Sequence, residues 1–354
     1  MGKTEQIKKL ENDWRWLIRE SAHPKIMKSK NNDTAKTISA IHYAKKDIVN
    51  LWKTYNTERF NLGKISLSRP DVTNAYICGF HLSNAYRLYA TLSRMPLDNS
   101  ASKINIIDIG SGSGALSHGL THYFSNSQVQ IKSIEAVKSL IDIQRKLFVD
   151  LLKIEDFYPI KTNISQLRTD RLLSSDAKNF ILFGYVWNEL SANPAAKKRI
   201  YELLRLAKEH DTTCIFLEPA KQKESHSLIE LRQELIASDY SCIYPCTRVA
   251  QCPMSEAKHD WCYSEFSWNV PEEIALIRKF LGIQYNKLNA AAFVFTSDKN
   301  MKRVGNVIVG NPNQKNSKKV DYLLCNEDGL SKQVIKKQPR QLKGEIHSGD
   351  AGSK

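Results

Sequence analysis

The chain has 354 residues, 42% hydrophobic and 25% charged, the balance of an ordinary globular protein with core material for a full α/β domain. Lys and Arg outnumber Asp and Glu by 52 to 37, a formal net charge of +15, so a polyanionic partner is expected. Nucleic acid is favoured over membrane, because no strongly amphipathic basic helix stands out and no apolar run approaches the ~20 residues of a membrane span.

The N-terminus, Met1-Gly2-Lys3-Thr4-Glu5, lacks the apolar stretch of a secretory signal, and Glu5, Glu11 and Asp13 argue against an acid-poor transit peptide. A cytoplasmic location is expected. Apolar positions recur at helical spacing from Lys8 to Ile18 and from Ile38 to Trp52. Pro70 and Asp71 open a further helix that runs through Leu82 to Leu92. Pro96 and Asp98-Asn99-Ser100 close this part, so residues 1–98 read as a helical N-terminal region.

At Ile104 the texture changes. Ile104–Ile109 is a buried-strand pattern, a glycine-rich turn follows, and Ala115–Tyr123 is helical. Strand patterns at 129–134, 180–185 and 213–217 alternate with helix patterns at 139–152, 195–208 and 227–237. Two late strands at 261–268 and 290–297 flank a helix at 271–281. Such alternation predicts a mostly parallel sheet covered by helices, with 99–298 as the α/β domain. Beyond it, Val304–Val309, Val320–Leu324 and Gln333–Lys336 read as short strands, with Asn311-Pro312-Asn313 and Asp328-Gly329 as turns. From Lys299 to the end there are twelve Lys/Arg against five Asp/Glu, so 299–345 is a basic β extension and 346–354 a flexible tail.

The glycine turn is Asp108-Ile109-Gly110-Ser111-Gly112-Ser113-Gly114. Glycines there let the backbone turn tightly and approach a ligand. Glu135 ends the next strand, 25 residues after Gly110, where such folds place an acid for a ribose diol. Gly110, Gly112 and Ala115 also satisfy a dinucleotide pattern. Asp108 favours S-adenosylmethionine instead, since an acid suits a cationic methionine end and sits poorly beside a pyrophosphate. Asp108, Gly110, Gly112, Gly114 and Glu135 are therefore the expected cofactor residues. At the end of the 180–185 strand, Trp187-Asn188-Glu189 stands where amino-methylating enzymes carry an (Asn/Asp)-Pro-Pro-aromatic motif. Asn188 and Glu189 are the candidates for orienting a substrate, or equally a polar helix cap. Glu218-Pro219 reads as a cap and turn.

Seven cysteines occur, at 78, 214, 242, 246, 252, 262 and 325. A reducing compartment disfavours disulfides. Cys246, Cys252 and Cys262 lie within 17 residues, and Pro245 and Pro253 keep the intervening segment non-helical. They are expected to ligate a metal centre. Cys325 is the best fourth ligand, with His259 and Cys242 as alternatives, while Cys78 and Cys214 read as core residues. No C-x2-C pair is present, which fits a [4Fe–4S] cluster better than zinc, with zinc kept as the alternative. Pro245-Cys246 also has the form of an RNA cytosine-5 methyltransferase nucleophile, but it follows the 213–217 strand, the wrong place for that role.

Taken in order, Asp108–Ser117, Trp187-Asn188-Glu189-Leu190, Glu218-Pro219, Pro245-Cys246, Cys252-Pro253 and Asp260-Trp261-Cys262 resemble the methyltransferase-like small-ribosomal-subunit protein family of mitochondria and bacteria. The likeness spans roughly residues 70 to 350, and the Asp-Trp-Cys segment is its most specific part. The resemblance implies a class I S-adenosylmethionine-dependent methyltransferase (Rossmann-like) fold and association with small-subunit rRNA during assembly or translation. It further implies a [4Fe–4S] cluster on Cys246, Cys252, Cys262 and Cys325. A monomer is expected. Two functions remain open: an rRNA methyltransferase, and a non-catalytic iron–sulfur assembly factor that binds the rRNA. Asp108 and the basic charge disfavour a nicotinamide-dependent oxidoreductase.

Overall fold

The computed structural model describes residues 2–56, 67–95, 97, 99–257, 260–310, 313–316, 319–336 and 341–347. Pro96, Asp98, His259, Asn311, Pro312 and 348–354 of the expected tail lie outside the described residues. The N-terminal helices are α1 (Lys3–Ser21), α2 (Pro24–Met27), α3 (Asp33–Tyr43), α4 (Lys45–Asn56), α5 (Pro70–Tyr76) and α6 (Leu82–Leu92), with a π-helical turn, Ile77–His81, between the last two. There follow β1 (Lys103–Ile109), α7 (Ala115–Tyr123), β2 (Gln128–Glu135), α8 (Lys138–Arg145) and β3 (Phe157–Lys161). Next come β4 (Lys178–Gly184), α9 (Trp187–Ser191), α10 (Pro194–Ala207), β5 (Thr212–Glu218), α11 (Gln222–Ala237) and β6 (Ser241–Tyr244). The remainder is β7 (Ser264–Ser267), α12 (Glu272–Leu281), β8 (Lys287–Thr296), β9 (Val307–Ile308), β10 (Asn313–Asn316), β11 (Lys319–Asn326) and β12 (Gly329–Lys336).

The chain folds into two compact units, each drawn from separate stretches. The first unit holds residues 1–89, 99–164 and 267–286. Its strands lie in the order β3-β2-β1, all parallel, with Ile106 opposite Ile131 and Ile134 opposite Ile160. Six of the seven β1 residues are buried, Asn105 and Asp108 among them, as in a strand covered on both faces. β3 escapes a reading of periodicity because Phe157-Tyr158-Pro159-Ile160-Lys161 is short and contains a proline. It stands at the end of this strand order, where a missing N–H is tolerated. In α1, Leu10, Trp14, Leu17 and Ile18 are fully buried, one face of a helix at the expected spacing. Trp14 Nε1 donates to Ile77 O at 3.0 Å, at the start of the π-helical turn. Arg15 holds Glu273 of α12 through both guanidinium edges, at 2.6 and 3.1 Å.

The second unit holds residues 90–98, 165–266 and 287–354. Its main strands lie in the order β4-β5-β8-β6: β4 and β5 are parallel, and β8 runs antiparallel to both β5 and β6. Every residue of β5 is buried, and the Phe183 and Phe216 rings of adjacent strands stack at 4.3 Å. A parallel β3-β2-β1 set, followed in sequence by β4-β5 and a reversed strand between β5 and β6, is the mixed and mostly parallel pattern of the class I methyltransferase (Rossmann-like) fold. The basic segment after 299 forms a separate sheet, β10-β11-β12 with β9 on β11, around Ile308, Tyr322 and Leu324. Ile346 bridges Val307, and His347 N donates to Asn306 O at 2.7 Å, so the chain is engaged as far as His347. Among the described residues no helix is long and apolar enough to cross a membrane.

Candidate functional site

The glycine loop lies entirely in the first unit, between β1 and α7. Gly110, Gly112 and Gly114 have φ of 64°, 55° and 76°. A Cβ on Gly114 would stand 2.7 Å from Phe148 Cε2, so both the left-handed backbone and the packing require glycine there. Glu135, at the end of β2, turns its carboxylate onto this loop: it accepts from Gly112 N and from Val137 N, each at 2.8 Å. Burial raises the Glu135 carboxyl above its ordinary range, partly offset by those N–H groups. Asp108 is 2% exposed and accepts from Ser117 Oγ at 2.6 Å, so its carboxylate is also engaged at the first turn of α7. Burial pushes the Asp108 carboxyl up to about 7, and the Glu135 charge adds to the rise.

Reasoning from sequence missed the scaffold of this loop. Gln144 of α8 donates to Gly112 O at 2.6 Å and to Ser111 Oγ at 2.8 Å, and its side-chain carbonyl accepts from Ser133 Oγ. The Tyr76 hydroxyl stands 3.1 Å from where a Gly112 Cβ would be. Nothing in the local pattern marks Gln144 or Tyr76, because both arrive from helices that are hydrophobic or polar for reasons of their own.

These residues fit S-adenosylmethionine. Two mutually repelling carboxylates at a glycine turn disfavour a pyrophosphate and suit a ligand with a cationic end. A desolvated carboxylate at the end of β2 gains from the two hydroxyls of a ribose.

In the second unit, Glu218 at the end of β5 accepts from Trp187 N at 2.7 Å and from Asn188 Nδ2 at 2.9 Å. Glu218 therefore does more than cap a turn: it fixes the start of α9 and occupies the Asn188 amide. Glu189, one residue on, is exposed. Tyr185, just past β4, has φ of 64°, a left-handed conformation that a side chain rarely adopts and that stores strain.

The same unit gathers the cysteines. Cys252 and Cys262 are 6% exposed and Cys325, on β11, is 9% exposed. After burial, the Cys262 thiol is raised by the charges of Cys246, Cys252 and Cys325, so the four expected ligands share one electrostatic neighbourhood. Cys242 joins them, since its thiol hydrogen-bonds Cys246. That bond, with the Arg232 charge, brings the Cys246 thiol down to about 6 against its burial. His259 lies outside the described residues. Cys78 and Cys214 are fully buried with thiols pushed upward by desolvation, as inert core residues should be.

Cations surround the thiols. Arg232 is fully buried, donates from Nε to Cys246 Sγ at 3.2 Å and from its terminal nitrogen to Arg248 O at 2.5 Å. Arg303 donates to Pro245 O at 2.6 Å and Gly344 O at 2.8 Å, and Lys343 lies 4.0 Å from the Tyr263 ring centre. Thr247 Oγ1 and Arg248 Nε are buried without a partner in the same loop. Four thiols, buried arginines and orphaned donors fit an anionic thiolate-bound centre. Among the described residues no three of these sulfurs lie within 4.8 Å of one another.

Known proteins bear on this geometry. The family described as mitochondrial small ribosomal subunit Rsm22 matches residues 89–351, about three quarters of the chain. No curated protein matches the sequence. Solved structures with partial likeness include an rRNA methylase from Streptococcus thermophilus, with 10% identity, 61% of this chain and 94% of that chain covered, and a TM-score of 0.33. TrmK of M. capricolum, solved with S-adenosyl-homocysteine, has 12% identity over 61% of this chain and 69% of its own, with a TM-score of 0.34. The methyltransferase domain of bacterial CtHen1-CN has 15% identity over 60% and 98%, with a TM-score of 0.37.

Proposed function

Because the chain belongs to the Rsm22 family, we propose that it binds S-adenosylmethionine at the Asp108–Gly114 loop and methylates RNA of a small ribosomal subunit. The observation that carries the cofactor assignment is the Glu135 carboxylate held on Gly112 N within a run of left-handed glycines. S-adenosylmethionine supplies an activated methyl group on a sulfonium. Gly110, Gly112 and Gly114 shape the turn, Glu135 holds the ribose, and Asp108 orders the loop through Ser117. Asn188 and Glu189 are the candidates for orienting the target base. The excess of Lys and Arg supplies phosphate contacts. The protein's place follows its ribosome: the family description names a mitochondrial subunit, so the cytoplasmic expectation stays a proposal.

The thiols are assigned to a [4Fe–4S] cluster on Cys246, Cys252, Cys262 and Cys325, with Cys242 as the neighbouring hydrogen-bond donor. The absence of a C-x2-C pair supports the larger centre over zinc. Such a centre would tie the β11 sheet to the 246–262 loop within the second unit, making part of its binding free energy folding free energy.

One observation favours the second reading, an assembly factor that binds without transferring methyl. Asn188 spends its amide on Glu218, and no (Asn/Asp)-Pro-Pro-aromatic motif follows β4. Protein purified without oxygen, methyl-labelled S-adenosylmethionine and small subunits from cells lacking this protein separate the two. Label in the rRNA that disappears with Gly110→Arg supports the enzyme. No label, from protein that retains its metal and binds the subunit, supports the assembly factor.

A further inference from the structure

α7 carries His118 and His122, four residues apart and so on one face of the helix. Asp13 of α1 meets them in the interior of the first unit. His122 Nε2 is 2.7 Å from Asp13 Oδ2, His118 Nε2 is 3.4 Å from the same oxygen, and the two ring nitrogens are 3.2 Å apart. His118 is fully buried, His122 is 3% exposed and Asp13 is 7% exposed.

Protons alone serve this triangle badly. A hydrogen on His122 Nε2 satisfies Asp13 and leaves the His118 Nε2 lone pair facing a carboxylate. A second hydrogen, on His118 Nε2, reaches Asp13 only at 3.4 Å and abuts the first. A cation among the three atoms satisfies all of them. We propose that Asp13, His118 and His122 are the ligands of a zinc ion within the first unit.

The donor set suits zinc: two imidazoles and a carboxylate, with one coordination position left over. Zn–N and Zn–O bonds of ~2.0–2.1 Å in a tetrahedron separate ligand atoms by ~3.3 Å, close to two of the three distances observed. The third, between Asp13 and His122, opens by about half an ångström on binding. The His118 ring is also oriented from behind. His118 Nδ1 meets His81 Nε2 at 3.0 Å, and His81 Nδ1 meets Ser113 Oγ at 2.8 Å. His81 is fully buried and its ring is held neutral chiefly by burial. A hydrogen-bonded partner behind a metal-ligating imidazole is the support such sites require. Ser113 belongs to the glycine loop, so the zinc would brace that loop as well as join α1 to α7.

The test uses the full chain stripped with a chelator and titrated with zinc, with the metal counted and its X-ray absorption edge recorded. The expected result is one bound zinc per chain whose first shell holds nitrogen and oxygen, unchanged by Cys252→Ser and Cys325→Ser. Asp13→Asn and His122→Gln abolish it, and His81→Ala weakens it about 10–100-fold. The melting temperature of the wild-type protein should rise steadily with zinc concentration, a readout that needs no variant. The assignment is overturned by a wild-type chain that binds no zinc, by a first shell made only of sulfur, or by zinc retained in full by both Asp13→Asn and His122→Gln. No zinc bound would make the three side chains a hydrogen-bonded brace.

Discussion

Arg232 Nε donates to Cys246 Sγ across 3.2 Å, from a guanidinium that is fully buried. The arginine also binds Arg248 O, so it spans the cysteine loop and supplies the positive charge that a thiolate there needs. Removing one partner of a buried charged pair leaves the other uncompensated. Arg232→Met should lower stability by about 3–5 kcal/mol in urea unfolding. If the thiols hold the proposed centre, the substitution should also speed its loss to a chelator.

Glu135→Ala should weaken S-adenosylmethionine binding about 10–100-fold in calorimetry, the worth of one charge-assisted hydrogen-bonded contact. Far-UV circular dichroism should be unchanged. Retained affinity would move the ribose away from the end of β2.

Gly114→Ala tests the loop as backbone rather than as ligand. A left-handed alanine costs about 1–2 kcal/mol, and the approach to Phe148 adds about 1–3 kcal/mol of overpacking. Urea unfolding should show a loss of about 2–5 kcal/mol. A loss below that range would mean that Phe148 moves freely.

Asp108 sets a pH dependence whose sign is the reverse of a salt-bridged acid. Its folded carboxyl is raised from 3.8 to about 7 by burial, so between those values the folded state holds a proton that the unfolded state has released. Stability therefore falls as pH rises through that window, by up to about 4 kcal/mol, and levels off above it. Asp108→Asn should remove this slope while retaining an acceptor for Ser117. The check is urea unfolding of both proteins, without cofactor, from pH 4 to 8.

If phosphate contacts come from the basic segment, replacing the exposed Lys299, Lys302 and Lys332 by Gln should reduce the slope of log affinity for rRNA against log salt. Each lost contact is worth about 0.7–0.9 in that slope. An unaltered slope would place the footprint elsewhere, for example on Lys8, Lys9, Lys25, Lys28 and Lys30.

Much of this protein is written in local pattern. β1 is legible because four of its seven residues are isoleucine, the apolar, β-branched material of a strand buried on both faces. The turn after it is legible because only glycine takes φ near +60° three times in five residues. Cys246, Cys252 and Cys262 stand out by spacing, and Cys325 by the strand that carries it. β3, with its proline, and the four-residue β6 were not legible, since edge strands depend on pairing rather than on periodicity.

By itself, then, the sequence determined most of the order of strands and helices, the glycine loop and the supply of thiols. Each depends on backbone stereochemistry or on burial along a few consecutive residues. Tertiary structure alone decided which side chains meet. Arg232 lies 14 residues from the cysteine it supports, and Asp13 lies more than 100 residues from the histidines it joins. His118 and His122 already share a helix face by their spacing, but nothing nearby in the chain marks Asp13 as their partner. The meeting of Asp13 with the two histidines follows from the packing of α1 on α7, where apolar faces such as that of Leu10, Trp14 and Leu17 set the geometry and the polar groups are carried into contact by it.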